Sequence, residues 1–506
     1  MSSKVLSAAT IGLDCELVEV EADHSPHGNP GIYIVGLPDK AVDESKSRVR
    51  SAVRNSALEF PRGNVTVNLA PADLKKMGTY YDLPIAISCL SQTQQLQLEN
   101  YQDKLFVGEL ALDGDLRPVS GVLSIAMMCR DRGIKDLFLP KGNAGEAALV
   151  TGINIYPIKN LAELISHLKN ENLISPYQAD VNQLSQVEMF ELDMSHIKGQ
   201  DQAKRALEIA AAGSHNILMS GPPGSGKTML AKAMPSILPK MSQAESLEVT
   251  RIYSTSGLLP ADKPVMTVRP VRSPHHTASG VALVGGGTWP KPGEISLAHR
   301  GVLFLDEFLE FPKSVLENLR QPLEDGVVSV SRVAGTIRFP AKFMLMAAMN
   351  PCPCGFLSDP DRECTCSPAN VIKYQKRASG PLLDRIDIHI EVPRVKIDKL
   401  ESDQQSEDSA VIRERIQQAR NIQLDRFKTE KIINNSEMGS ELIKKYCILD
   451  DQSKQLLRQA VEKLHLSARA YHRVLKLART IADLEQSEKI LTNHIAEAIQ
   501  YRPRVE

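Results

Sequence analysis

The segment Gly221-Pro222-Pro223-Gly224-Ser225-Gly226-Lys227-Thr228 has the G-x-x-x-x-G-K-[ST] spacing of a phosphate-binding loop. An apolar run, Asn216-Ile217-Leu218-Met219-Ser220, precedes it, and a helix-forming run, Met229-Leu230-Ala231-Lys232-Ala233, follows. The residue types set the chemistry. Glycines let consecutive backbone N–H groups turn toward phosphate oxygens, Lys227 brings a point charge to the β- and γ-phosphates, and the Thr228 hydroxyl can ligate Mg²⁺. A nucleoside triphosphate site is predicted. A second apolar run, Gly301-Val302-Leu303-Phe304-Leu305, ends in Asp306-Glu307, as expected of a central parallel strand that opens onto the nucleotide. Asp306 is placed to hold the magnesium through water, and Glu307 to polarise an attacking water.

A different chemistry is suggested by Cys352-Pro353-Cys354 and Cys364-Thr365-Cys366, two C-x-C pairs separated by nine residues. In a reducing compartment such clustering points to a metal, and four thiolates suit tetrahedral zinc. The spacing is tighter than the commoner C-x-x-C knuckle, so incidental thiols in a surface loop remain the alternative. Cys15, Cys89, Cys129 and Cys447 are scattered and read as core or surface thiols.

These groups need a scaffold, and 506 residues suffice for about three domains. With 60 Lys and Arg against 61 Asp and Glu, the chain has no global basic field, so any nucleic-acid contact must come from local clusters. The N-terminus lacks the apolar core of a signal peptide and no apolar run reaches about 18 residues, which predicts a cytoplasmic protein without a membrane partner. Residues 1–172 alternate strand and helix signals: strands at Val18-Glu19-Val20-Glu21, Val65 to Leu69, Phe106 to Leu110 and Asp136 to Pro140, and a helix from Lys40 to Leu58. Residues 173–195 turn polar and read as a linker, and 196–395 hold the nucleotide machinery with the cysteine insert at 352–366. Residues 396–506 open on an acidic stretch and continue as helices, including Leu456 to Leu484 and Leu491 to Tyr501, which predicts a helical lid.

Taken with the phosphate loop, Arg272-Ser273-Pro274-His275-His276-Thr277, Gly285-Gly286-Gly287 and the run from Pro292-Gly293-Glu294-Ile295 to His299-Arg300-Gly301 resemble the magnesium-chelatase-like AAA+ ATPases of bacteria. The resemblance covers essentially the whole chain. It implies a P-loop α/β domain with a parallel sheet, a hexameric ring with ATP at the subunit boundaries, and an extra loop inserted between Lys227 and Asp306. Asn350, ending the apolar run from Phe343, matches the residue that orients the attacking water. Arg385, in Gly380-Pro381-Leu382-Leu383-Asp384-Arg385-Ile386-Asp387, matches an arginine finger that reaches a neighbour's γ-phosphate; by its own surroundings it could equally pair with Asp384 or Asp387. Arg469 resembles a second phosphate-sensing arginine, with Arg473 competing for the role, and Ile197-Lys198-Gly199-Gln200 resembles the segment that meets adenine.

The N-terminal region resembles the α+β fold of the Lon protease domain. Where a serine would stand, the chain reads Met77-Gly78-Thr79-Tyr80-Tyr81-Asp82, and where a lysine would stand, Gly121 is followed by Val122-Leu123. Without a hydroxyl next to an amine, acyl transfer has no evident route, which predicts a non-catalytic interaction domain.

Two segments bear on what an ATP-driven ring would act upon. Val327 to Arg332 and Thr336-Ile337-Arg338-Phe339 predict a β-hairpin just before the Asn350 strand, similar to the pore hairpin of minichromosome-maintenance helicases, with Arg332 near its tip and Arg338 on the return. The segment from Arg269 and Arg272 to Trp289 and Lys291 combines cations, histidines and the only Trp, a composition suited to gripping a strand. The paired His275-His276 has no second pair nearby and reads as loop. The resemblance implies single-stranded and branched DNA as partners, recombination proteins beside them, and branch migration during natural transformation. A chelatase-type or protein-remodelling motor is the alternative.

Overall fold

Period-two burial builds the first sheet. Along the strand Asp14–Ser25, Val18, Val20 and Ala22 are buried between partly exposed neighbours, and Asn64–Ala70 repeats the pattern with Val65, Val67 and Leu69. The computed structural model describes residues 3–26, 31–93, 95–97, 99–178, 190–260, 263–287, 290–332, 335–357, 359–395 and 407–502. Trp289, much of the expected linker, the acidic opening of the C-terminal part and the hairpin tip lie outside them.

The described residues form two compact units: residues 1–186 with 243–266, and 187–242 with 267–506. The first is a mixed sheet in the order Gly31–Val35, Asn64–Ala70, Asp14–Ser25, Ser3–Ile11, Lys104–Phe106, Asp136–Pro140 and Asn154–Ile158. Pairings on both sides of Asp14–Ser25 are antiparallel, and the others are parallel. Helix Lys40–Asn55 starts at Asp39, whose side chain accepts from the Val42 N–H at 2.8 Å. It stops three residues short of the expected Leu58, where Ala57 turns left-handed. The expected strand from Phe106 to Leu110 divides into Lys104–Phe106 and Glu109–Leu110.

Helix Gln243–Ser256, although it follows the phosphate loop in sequence, belongs to this first unit. Arg251 donates to the Leu13 carbonyl and to Asp14 at 2.7 and 2.8 Å, Ser254 bonds buried Glu146, and the Ser254 carbonyl accepts from the Gly121 N–H at 3.1 Å. In the stretch without a serine, Tyr80 meets Thr10, Tyr81 is fully buried, and Asp82 takes Arg48 in a two-pronged ion pair at 2.7 and 3.0 Å.

The second unit holds an all-parallel sheet in the order Val271–Arg272, Val302–Leu305, Met344–Met349, Ile217–Ser220, Ile388–Glu391. Its central strands are continuous apolar runs because both faces are covered. Helices Ser409–Arg426, Ser440–Tyr446, Asp451–Lys463, Ala468–Leu484 and Thr492–Gln500 make the expected helical C-terminal part. The run expected as one helix to Leu484 breaks after Lys463, where His465 is left-handed and the Ser467 hydroxyl caps the next helix on the Ala470 N–H. No described helix is long and apolar enough to cross a membrane.

A buried polar knot fixes these helices. Asp483, inaccessible to solvent, receives Arg426, Arg479 at 3.0 Å and Asn435 at 2.8 Å. Thr480 accepts from Asn435 at 3.0 Å and meets His215 at 2.8 Å. Removing the carboxylate strands two guanidinium groups in the interior, so Asp483→Ala should cost about 3–5 kcal/mol. Chemical denaturation followed by the second unit's near-UV signal checks this, and a loss below about 1 kcal/mol would show the knot to be dispensable.

Candidate active site

Parallel register brings three chain segments to one edge of the second unit's sheet. Ser220 lies opposite Met349, and Leu305 opposite Ala347, so the phosphate loop, Asp306-Glu307 and Asn350 all leave the carboxyl ends of adjacent strands. That end of an open parallel sheet is where such folds bind ligands. The loop then runs into helix Lys227–Ala233, whose N-cap is Gly226.

The loop fits a polyphosphate. Gly224 and Gly226 are left-handed, with nothing within 4 Å of where a Cβ would stand, which leaves an open cradle of backbone N–H groups. Lys227 is buried, and its Nζ donates to the Gly221 and Pro222 carbonyls at 2.8 and 2.9 Å and reaches Asn350 Oδ1 at 3.4 Å. Burial lowers its pKa from the ordinary lysine value, opposed by the charge of Asp306. A desolvated ammonium hydrogen-bonded to carbonyl oxygens gains from an arriving anion. Thr228 Oγ1 donates to Asp306 Oδ2 at 2.8 Å, so the hydroxyl and carboxylate suited to a magnesium ion already face each other. Gln200, in the segment expected to meet adenine, reaches the Ser225 carbonyl at 3.2 Å and that of Pro393 at 2.8 Å.

Glu307 adopts a left-handed backbone, φ 51°, outside the range a glutamate prefers. Its carboxylate pairs with His276 Nδ1 at 3.0 Å, and the His275 ring lies 4.1 Å from that of His276. From the sequence alone both histidines are expected to be loop residues. They do lie in a loop, but one that returns onto the candidate base. Nothing local in the sequence signals a contact between residues so far apart.

Four cysteine sulfurs, of Cys352, Cys354, Cys364 and Cys366, lie within 4.8 Å of one another and could hold a metal ion. Separations of 3.3 Å for Cys352–Cys354, 3.7 Å for Cys352–Cys364 and 3.6 Å for Cys354–Cys364 approach the edge of about 3.8 Å for a tetrahedron with 2.3 Å metal–sulfur bonds. The Cys354 thiol is drawn down to about 6, first by the Phe356 backbone N–H and then, against burial, by Cys352 and the Thr365 N–H. Cys354 is thereby favoured as thiolate, while the neighbouring sulfurs push the Cys364 and Cys366 thiols up. The knuckle also touches the phosphate loop. Gly355, left-handed at φ 83°, packs so closely that a Cβ there would sit 2.6 Å from Pro223 Cδ. Arg394 lies over the Phe356 ring and donates to the Pro223 carbonyl at 3.4 Å.

The three candidate arginines stand together. Arg385 is buried and pairs with Glu324 rather than with Asp384 or Asp387. Arg469 reaches the same Glu324 at 3.1 Å, while Arg473 faces Asp387 at 3.5 Å. The predicted hairpin forms from Val327–Arg332 and Gly335–Pro340, with Arg332 opposite Gly335 and Arg338 opposite Ser329. Arg338 and Lys291 are exposed. Arg272, expected among the nucleic-acid contacts, pairs with Glu294 by two bonds at 2.6 and 2.8 Å.

Three family models match consecutive stretches of the chain. "Magnesium chelatase, subunit ChlI" matches residues 193–400, "Subunit ChlI of Mg-chelatase" residues 18–143, and "Magnesium chelatase, subunit ChlI C-terminal" residues 406–502. The chain is 44% identical to Competence protein ComM of Haemophilus influenzae over 507 residues, covering 99% of this chain and 97% of the relative. It is 41% identical to the uncharacterized protein YifB of Escherichia coli over 502 residues, covering 99% and 97%. A shorter similarity joins it to Lon protease 2 of Syntrophobacter fumaroxidans, 25% over 168 residues, covering 31% of this chain and 19% of the relative.

Because Gly355 combines a left-handed backbone with a close approach to Pro223, Gly355→Ala should displace the phosphate loop. Strain of this kind is of order 1–3 kcal/mol, so nucleotide affinity should fall about tenfold. Titration with a fluorescent ATP analogue checks it; parental affinity in a folded variant would mean that the two loops move independently.

Proposed function

The chain belongs to the magnesium-chelatase family of AAA+ ATPases, and from that premise we propose that it is a hexameric, ATP-driven DNA motor. It acts in the cytoplasm on recombination intermediates during natural transformation, binding single-stranded and branched DNA and moving the branch points of the latter. One observation carries the reading: the strand that ends at Asn350 beside Lys227 is fed directly by the hairpin bearing Arg332 and Arg338. A nucleotide-dependent shift at one end of that strand therefore has a short covalent route to a basic hairpin. The name of the Haemophilus relative agrees with a role in competence.

In this reading Gly221 to Thr228 cradle the triphosphate, with Lys227 on the β- and γ-phosphates. Thr228 and Asp306 hold the magnesium, which neutralises charge on the phosphates when bound. Glu307, released from His276, takes a proton from the attacking water, and Asn350 orients that water. Arg385 reaches the γ-phosphate of the neighbouring subunit, and Arg469, or Arg473 in its place, is the second phosphate-sensing arginine. Arg332, Arg338 and Lys291 contact DNA phosphates. Residues 1–172 are a Lon-protease-like interaction domain, joined by a linker at 173–195 to the ATPase core, and residues 396–506 are its helical lid.

The family models favour a second reading, since all three are named for a chelatase subunit. A chelatase-type motor would be stimulated by a chelatase partner, and a protein-remodelling ring by its client. ATP hydrolysis measured with and without single-stranded and four-way-junction DNA, alongside junction migration, separates these readings. Stimulation by DNA with ATP-dependent junction movement is expected, and turnover indifferent to DNA would overturn the motor. Glu307→Gln should keep ATP binding and stop hydrolysis, and Arg385→Ala should lower turnover at least about 10³-fold. Arg332→Ala should spare basal turnover and weaken DNA binding while lowering its salt slope by about one.

We assign structural zinc to Cys352, Cys354, Cys364 and Cys366, on the soft donor set and the separations of the sulfurs. Elemental analysis of the purified chain should find zinc in stoichiometric amount, lost in a Cys364→Ser Cys366→Ser variant. A preparation free of zinc in which all four thiols react rapidly would remove the assignment.

A further inference from the structure

Arg385, assigned to a neighbour's nucleotide, and Arg469, the candidate second phosphate-sensing arginine, end within their own subunit on a single carboxylate. Arg385 Nη2 bonds Glu324 Oε2, and Arg469 Nη2 bonds Glu324 Oε1 at 3.1 Å. The Arg385 side chain is only 8% exposed, and its Nη1 is taken by the Pro381 carbonyl at 2.7 Å. Burial, and after it the charges of Arg469, Arg320 and Arg473, lowers the Arg385 pKa from the ordinary arginine value. Crowded cations of this kind require an anion, and Glu324 supplies one from an accessible position, its side chain 49% exposed. A carboxylate that takes one guanidinium on each oxygen presents the arginines with the charge pattern of a terminal phosphate, at lower charge.

The place of Glu324 in the chain gives the contact a second meaning. It lies on helix Arg320–Asp325, which ends at Gly326, and the next residue opens the hairpin strand Val327–Arg332. The Gly326 carbonyl accepts from the Ala341 N–H at 2.8 Å and so closes the hairpin at its base. Buried Val328, Val330 and Phe339 hold the hairpin to the body of the unit, so a movement of Gly326 is transmitted rather than absorbed. The carboxylate that holds the arginines is thus three residues before the first strand of the basic hairpin.

We propose that Glu324 is a positioning residue which holds Arg385 and Arg469 in check until a phosphate group of the adjacent subunit's nucleotide displaces it, and that this exchange shifts the base of the hairpin. The inference rests on the assignment of Arg385 as the arginine that acts across the subunit boundary, and it adds the element that links that arginine to DNA. The exchange is driven by the difference in affinity of the arginines for the two anions, because a ligand moves an equilibrium only by what it gains in one state over the other.

The test compares the full chain with Glu324→Gln, which keeps size and an acceptor oxygen and removes the charge. Half-exposure of the side chain means that no core is emptied, and Glu324→Ala serves as a second variant. Basal turnover, turnover with single-stranded DNA, and affinity for a fluorescent ATP analogue are measured. Basal turnover should rise at least about fivefold, the low end of coupling between sites. The ratio of DNA-stimulated to basal turnover should fall toward one, with nucleotide affinity unchanged. Glu317→Gln, which removes the partner of Arg320 at 2.9 Å on the neighbouring turn, should keep parental values. Unchanged basal turnover in both Glu324 variants would overturn the proposal. So would a proportional fall with and without DNA, which would make Glu324 a support for the finger and not its restraint. A parent that DNA does not stimulate defeats the DNA motor, whereas the basal rate of Glu324→Gln still decides the restraint.

Discussion

The register of one parallel strand is the constraint on which the nucleotide site depends. Met344–Met349 pairs with Val302–Leu305 on one side and Ile217–Ser220 on the other. A slip of a single residue in either pairing would turn alternate side chains to the opposite face and pull Asp306 away from Thr228. Both faces of the strand are covered, so it admits only apolar residues, and Leu345, Met346, Ala347 and Ala348 are buried. Polar chemistry is thereby confined to the strand end. Asn350 can face Lys227 because the five residues before it are spent on packing.

Charged groups around this edge already have partners within the subunit. Glu307 is held by His276, Thr228 by Asp306, Arg385 and Arg469 by Glu324, and Lys227 by carbonyl oxygens. Buried or crowded charges cannot wait unpaired, because desolvation without compensation is costly. A nucleotide site must then exchange partners rather than fill a vacancy, and each exchange displaces a group fixed to another element. His276 lies on the loop after Val271–Arg272, Glu324 on the helix before the hairpin, and Asn350 on the strand leading to the cysteine knuckle. Pre-existing pairs convert a local binding event into motion of several elements.

What was legible in the sequence follows the range of the physics. The phosphate loop, Asp306-Glu307 and the four cysteines are encoded over a few residues, by backbone freedom, strand termination and close thiol spacing, so pattern sufficed. The helical C-terminal part was legible by period, except where His465 adopts a left-handed backbone and breaks the run. Pairings across the chain were not legible. Arg272 meets Glu294, 22 residues on, and Arg385 meets Glu324, 61 residues back; a cation in sequence carries no mark of which carboxylate will find it. For the same reason the composition that suits gripping a strand gives no sign that Arg272 pairs with Glu294. Helix Gln243–Ser256 was likewise hidden, since its place in the first unit is set by Arg251 and Ser254 meeting Asp14 and Glu146.

The cysteine knuckle extends the argument about exchange. Its cysteines begin two residues after Asn350, and its Gly355 lies against Pro223 with no room for a side chain. With zinc bound, as proposed, the knuckle would be stiffer than a loop of the same length held by hydrogen bonds, because its closure entropy is met when the metal binds and not each time the loop orders. The phosphate loop, with left-handed Gly224 and Gly226 that have no neighbour within 4 Å of where a Cβ would stand, is open on that side and less constrained. Placing a stiff element against a compliant one lets the compliant loop keep the backbone geometry a triphosphate needs without side chains that would block the cradle. The position of the knuckle, and not only its donor set, is what connects it to the chemistry at the sheet edge.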